Sequence, residues 1–334
     1  MLVSNPILEV KGLRKSFQIS NGMFRKQKFL NAVNGISFSV SEGKTFSIVG
    51  ESGCGKSTTG RLISRLITPT EGEVWINGEE ISRKKESELA NVRKEVQMVF
   101  QDPYASLNPR MKVRDIIAEP LEIHTKLTKK EQNSLISEMM EIVGLSDYQA
   151  GLYAHEFSGG QRQRIGIARA LIMKPKLIVA DEPVSALDVS VQSQILNLLK
   201  ELQKELKLTY LFISHDLSVV EHISDSIGVM YLGEIVESGS REMIFSEPQH
   251  PYTKALLSSV PIPDPKLKRD RIILKGDLPS PVNPPTGCKF HTRCPEAMDI
   301  CKTVEPSLVY NKKMERMVSC HLQQETTDSN YIQI

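Results

Sequence analysis

"GESGCGKS", residues 50–57, decides how this chain is read. It follows a short apolar run, "TFSIVG" at 45–50, and opens a stretch with the pattern of a helix from Ser57 to Leu66. Strand, glycine turn and helix in that order give the pattern G-x-x-x-x-G-K-[ST] its physical meaning. Small glycines let backbone N–H groups point inward around an anion, and the helix N-terminus adds partial positive charge. Lys56 is then placed to reach the β- and γ-phosphates of a nucleotide, and Ser57 to ligate Mg²⁺. Gly50, Glu51, Ser52, Gly53, Gly55 and Thr58 complete the cradle, while Cys54 takes a free position of the loop and reads as filler.

Outward from this loop the same texture recurs. "KLIVAD" (176–181), "TYLFIS" (209–214) and "SIGVMY" (226–231) are apolar runs bounded by turn residues. Between them lie helical patterns such as 189–205, with Val191, Ile195, Leu198, Leu199 and Leu202 at i, i+3 and i+4 spacings. Buried strands alternating with helices predict an α/β fold. The 334 residues, 40% hydrophobic, suffice for one large domain and a smaller one. A net charge of +2 with interspersed signs argues against nucleic acid as a partner. No apolar stretch approaches the roughly 20 residues of a membrane span, and "MLVSNPILEV" has neither the basic start nor the apolar run of a signal peptide, so a cytosolic chain is expected.

Two further segments carry chemistry. "LIVADEP" (177–183) ends a buried strand in two carboxylates, where α/β sheets present their reacting groups. Asp181 is placed to hold Mg²⁺ through its water shell, and Glu182 to polarise an attacking water. "FSGGQRQR" (157–164) sets Ser158, Gly159, Gly160 and Gln161 at the start of a helix reaching to about Met173, which makes a second anion site where one nucleotide needs only one phosphate loop.

The phosphate loop, this glycine-rich signature, the acid pair, "SALD" (185–188), Gln101 in "VFQDP" and His215 in "ISHD" together resemble the ATP-binding subunit of an ABC transporter over residues 8 to about 240. The resemblance implies ATP and Mg²⁺ as cofactors and a head-to-tail pair of subunits, in which Ser158 and Gly160 contact the γ-phosphate held by the other subunit. It implies that His215, 33 residues beyond Glu182, holds the γ-phosphate and the water. It likewise implies that Gln101 joins Mg²⁺ to a helical subdomain at about 102–157, and that Phe17 in "LRKSF" stacks on adenine.

Within that family the chain looks like the F-type subunit of oligopeptide and dipeptide importers, through "QDPYASLNPRM" (101–111), "HEFSGGQRQRIGIARAL" (155–171), "DEPVSALDVSVQ" (181–192), "HPYTKALLSSVPIPDP" (250–265) and "LPSPVNPPTGCKFHTRCP" (278–295). The resemblance implies a sister ATPase, two integral membrane permease subunits, an extracellular substrate-binding protein and a peripheral position on the cytoplasmic face of the membrane. Nickel and metallophore importers share parts of the pattern. The alternative from another class is a soluble ABC-type ATPase that does no transport. Against it stand the single cassette and the 56 residues between Gln101 and Ser158, too few for a coiled-coil arm.

The last part of the chain differs in composition. Eleven of the 18 prolines lie from Pro248 onward, which puts a boundary near residue 250 between an ATPase domain (1–250) and a loop-rich extension (251–334). Four of the five cysteines, Cys288, Cys294, Cys301 and Cys320, fall in that extension with the spacing C-x5-C-x6-C-x18-C. Disulfides are disfavoured in a cytosolic protein, a structural Zn²⁺ site lacks the short C-x2-C knuckle, and a [4Fe–4S] cluster accepts four irregularly spaced cysteines. His291 and His321 are alternative ligands by position. The peptide-importer resemblance, whose subunits carry a matching motif, implies the [4Fe–4S] cluster, with Zn²⁺ as the alternative.

Overall fold

The computed structural model describes residues 6–19, 28–260, 271–312 and 314–324. In chain order its strands are Leu8–Ile19 (β1), Lys28–Val40 (β2), Thr45–Val49 (β3), Glu71–Ile76 (β4), Glu79–Glu80 (β5), Val96–Val99 (β6), Leu177–Asp181 (β7), Thr209–Ser214 (β8), Ser226–Tyr231 (β9), Glu234–Ser240 (β10), Val309–Asn311 (β11) and Arg316–Val318 (β12). They form an antiparallel sheet, β2-β1-β4-β5, and a larger mixed sheet, β11-β12-β10-β9-β3-β8-β7-β6. From β9 to β6 the larger sheet is parallel. Every residue of β3, β7 and β8 is buried, which is why these strands read as unbroken apolar runs rather than alternating ones.

Helices cover the parallel strands. Lys56–Ile63 follows β3, and Val189–Leu206 joins β7 to β8 while burying Ile195, Leu196, Leu198, Leu199 and Leu202. Within 102–157 lie the helices Val113–His124 and Lys129–Ile142, the second opened by a capping box in which Thr128 and Glu131 exchange hydrogen bonds. Their apolar faces, including Ile116, Ile117, Leu121, Ile136 and Met140, join one core with Ile165 and Ala168 of the helix Gly159–Leu171. This helical region is therefore fastened directly to the helix that carries Ser158 at its N-cap.

The tail is more deeply built in than its proline content suggests. β12 pairs antiparallel with β10, Glu237 opposite Val318, and β11 extends the sheet beyond it. Strands of three residues show no legible period, so nothing in the sequence announced them. The fully buried Glu237 carboxylate accepts the backbone N–H groups of Gln249 and His250 at 2.9 Å each and pairs with Arg316 at 3.4 Å. Tyr252 and Phe290 lie in one core with Val229 and Tyr231. Burying Phe290, 1% exposed, contributes about 1.5–3 kcal/mol to holding the tail on the sheet. The proline-rich stretch "PIPDP" lies outside the described residues.

Candidate active site

The loop 50–57 leaves the C-terminal end of β3, flanked by the ends of β8 and β9. Two of its glycines are required by close approach. A Cβ on Gly50 would meet the Met230 carbonyl oxygen at 2.1 Å, and one on Gly55, at φ 110°, would meet that of Ala32 at 2.1 Å. Lys56 is almost wholly buried and folds back over the loop, donating to the carbonyl oxygens of Gly50 at 2.8 Å and Glu51 at 3.0 Å.

A cavity of about 520 Å³ opens over this loop. It is lined by loop residues Ser52, Gly53, Cys54, Gly55, Lys56, Ser57 and Thr58, and by Phe17, Ala32, Gln101, Glu182 and His215. Cys54 is 1% exposed, and burial pushes its thiol up. The Lys15 ammonium lies 5.1 Å from the centre of the Phe17 ring.

Beneath the loop the Ser57 hydroxyl donates to the Asp181 carboxylate at 2.8 Å. Asp181 ends β7 and is 3% exposed; burial raises its pKa, and the Ser57 hydrogen bond opposes that rise. The neighbouring Glu182 turns out of the strand at φ 47°, a left-handed conformation that non-glycine residues adopt at a cost. Its Oε2 accepts a hydrogen bond from Gln101 Nε2 at 2.9 Å and lies 3.0 Å from His215 Nδ1. Three residues singled out from separate segments thus meet at one oxygen atom. None of Ser158, Gly159, Gly160 and Gln161 lines this cavity. Ser158 instead caps its own helix, exchanging hydrogen bonds with Gln161, while Gly160 packs so tightly on Val191 that a Cβ would sit 2.4 Å from its Cγ1.

Residues 33–185 match the family described as ABC transporter, and residues 236–301 match the oligopeptide/dipeptide transporter C-terminal region. The chain is 56% identical over 320 residues to the oligopeptide transport ATP-binding protein AppF of Bacillus subtilis, covering 95% of this chain and 97% of that protein. It belongs to the oligopeptide/dipeptide family of ABC transporter ATP-binding proteins. The dipeptide transport ATP-binding protein DppF of Haemophilus influenzae is 53% identical, with 91% of this chain and 93% of that protein covered. Among solved structures, a dimeric ATP-binding cassette in a post-hydrolysis state with ADP and Pi superposes with a TM-score of 0.63 at 29% identity, over 70% of this chain and 98% of that one. For this family member, the walls of the cavity include residues that motif reading missed: Asn31, Leu232, Gly233 and, from the tail, Pro281. No local pattern marks them, because they arrive from distant parts of the chain.

The tail carries Cys288, Cys294, Cys301 and Cys320. All four thiols are free, and they are gathered closely enough that Cys288, Cys294 and Cys301 each add to the rise of Cys320, which burial first pushes up to about 11. Burial likewise pushes Cys294 up to about 11 and raises Cys288. Yet among the described residues no group of three or more His, Cys, Asp or Glu side chains is arranged to hold a metal ion, so no formed [4Fe–4S] or Zn²⁺ ligand set is present there. The two histidines are engaged elsewhere, His291 Nδ1 with the Cys288 carbonyl at 2.8 Å and His321 Nε2 with that of Val304 at 2.9 Å.

Proposed function

We propose that this chain is the ATP-binding and ATP-hydrolysing subunit that energises import of oligopeptides or dipeptides by a membrane ABC transporter. The observation that carries the chemistry is the meeting of Gln101 and His215 on one oxygen of Glu182, beside the Ser57–Asp181 bond and under the phosphate loop. Both contacts fall on Oε2, which leaves Oε1 to accept a proton from an attacking water. Lys56 leaves the loop carbonyls to meet the β- and γ-phosphates, and the loop N–H groups bind the same charge. His215 holds the water and the γ-phosphate, and Phe17 carries the adenine. Ser57 and Gln101 would hold Mg²⁺, with Asp181 behind Ser57, and the bound ion would supply neutralisation of charge on the phosphates. A hydroxyl already paired with a buried carboxylate is a donor set that fits this hard cation.

The cargo rests on relatives whose names specify oligopeptide or dipeptide transport, and on the C-terminal match. Ser158, Gly159, Gly160 and Gln161 are read as acting on the nucleotide of a partner ATPase, a related sister subunit, because they lie off their own cavity. No helix among the described residues is long and apolar enough to cross a membrane, so the reading requires two permease subunits to span it and places this chain peripherally on the cytoplasmic face, with an extracellular binding protein delivering peptide. Residues 1–250 are read as the ATPase unit and 251–334 as its extension. Within that extension the four cysteines are read as ligands of one [4Fe–4S] cluster on donor chemistry alone: four free thiols in one neighbourhood, with both histidines engaged elsewhere. When bound, the cluster would stiffen the tail, since ATP hydrolysis needs no electron transfer. Purification from membranes tests the whole reading: two integral membrane proteins should accompany the chain, and peptide-loaded binding protein should stimulate its ATPase. Full ATPase activity in a soluble fraction free of membrane subunits would overturn it.

A further inference from the structure

The phosphate loop is held from behind by the tail. Glu51 does not line the cavity, and its carboxylate accepts two hydrogen bonds from the Arg293 guanidinium, at 2.8 and 3.0 Å. The Arg293 side chain is 9% exposed and that of Glu51 28%. A second tail residue grips the same position, because the Tyr252 hydroxyl accepts the Glu51 backbone N–H at 2.9 Å. Neither contact stands alone. Tyr252 packs edge-on against Tyr231 at 4.8 Å between ring centres, and Phe290, three residues before Arg293, packs against both rings at 5.2 and 5.4 Å. An aromatic cluster reaching from β9 into the tail thus fixes the guanidinium at the loop.

We propose that Arg293 is a positioning residue of the nucleotide site, which holds the phosphate loop in its binding shape by neutralising and anchoring Glu51. The inference rests on reading residues 50–58 as the phosphate loop. Its physical basis is charge: a carboxylate at the second position of a loop that must receive a polyphosphate repels its ligand unless a cation is bound to it. A bidentate guanidinium does this and also fixes the direction of the side chain, which a point charge does less well. Since the Glu51 carbonyl also accepts a hydrogen bond from Lys56, a shift at Glu51 moves the residue that must contact the phosphates.

The test measures ATP affinity of the full-length chain, with melting temperature recorded in parallel. Arg293→Gln should weaken ATP binding roughly tenfold, the size expected from losing one charge-assisted bidentate pair. Arg293→Lys should fall between that variant and wild type. The double variant Glu51→Gln, Arg293→Gln should regain most of the affinity, because the uncompensated charge is gone, even though it regains no bidentate anchor and no melting temperature. Wild-type affinity in Arg293→Gln, or losses in the single and double variants that simply follow their melting temperatures, would overturn the proposal. Lys56→Ala separates the two readings: if it leaves ATP affinity unchanged, the phosphate-loop reading fails and this proposal with it, whereas a strong loss there beside no loss in Arg293→Gln overturns only the role of Arg293.

Discussion

Replacing Glu182 by Gln isolates the charge of the proposed general base from its geometry. The Gln101 hydrogen bond and the His215 contact both fall on Oε2, so a glutamine that places its amide oxygen there keeps both. Its NH₂ group then stands where Oε1 stood, and a group that could accept a proton from water is replaced by one that donates. Size, the strained backbone at φ 47° and the neighbouring contacts stay the same, so the expected cost to stability is small. Loss of a general base lowers turnover about 10²- to 10⁴-fold, equivalent to about 2.7–5.5 kcal/mol of activation free energy. ATP binding should survive, because the loop residues that line the cavity are untouched. Phosphate release by the assembled transporter, measured beside equilibrium binding of ATP, checks both halves. Turnover within threefold of wild type, or loss of affinity equal to the loss of turnover, would refute the assignment of Glu182 as base.

Ser158→Ala removes a helix cap, which should cost about 1 kcal/mol in stability, and should lower transporter ATPase more than that modest loss explains while ATP binding by the isolated chain is kept; unchanged ATPase in the assembled complex would contradict action on a partner's nucleotide. His250 is wholly buried, and burial lowers its pKa to about 3 while its Nδ1 accepts the Tyr252 N–H at 3.0 Å. Its native pKa lies below its unfolded value, so this stability is fully present above about pH 6.5 and falls by about 1.4 kcal/mol per pH unit as pH drops toward 3. His250→Asn keeps a capping side chain and should flatten that part of the melting-temperature profile, whereas an unchanged slope would assign the acid sensitivity elsewhere. Anaerobic purification should yield a brown chain with about four irons and four acid-labile sulfides, lost in Cys301→Ser with ATP affinity retained; colourless protein carrying stoichiometric zinc would rule the cluster out.

What the sequence made legible is local. The loop 50–57, the strand ends at Asp181 and His215 and the cap at Ser158 each follow from a few consecutive residues whose types dictate backbone shape. The helix starting at Lys56 stops at Ile63, short of Leu66, because Arg65 turns to φ 53° and buries its guanidinium against the Ile81 and Lys84 carbonyls. That ending depends on residues the local pattern does not contain. The same holds for the tail: proline content suggests irregular backbone, and residues 271–298 hold no helix or strand, but the pairing of β12 with β10 and the burial of Phe290 depend on partners far off in the chain. Arg293 and Glu51 are 242 positions apart, and neither reads as unusual until the fold places a guanidinium on the phosphate loop.

Uptake of a labelled short peptide into membrane vesicles bearing the assembled transporter tests the central claim most directly. With ATP present on the cytoplasmic side, and the peptide and its binding protein on the other, peptide should accumulate against its gradient. Lys56→Ala in this chain should abolish that accumulation, because its ammonium has no substitute at the phosphates. Accumulation that proceeds equally with the Lys56→Ala chain, or ATP hydrolysis that never moves peptide, would contradict the account.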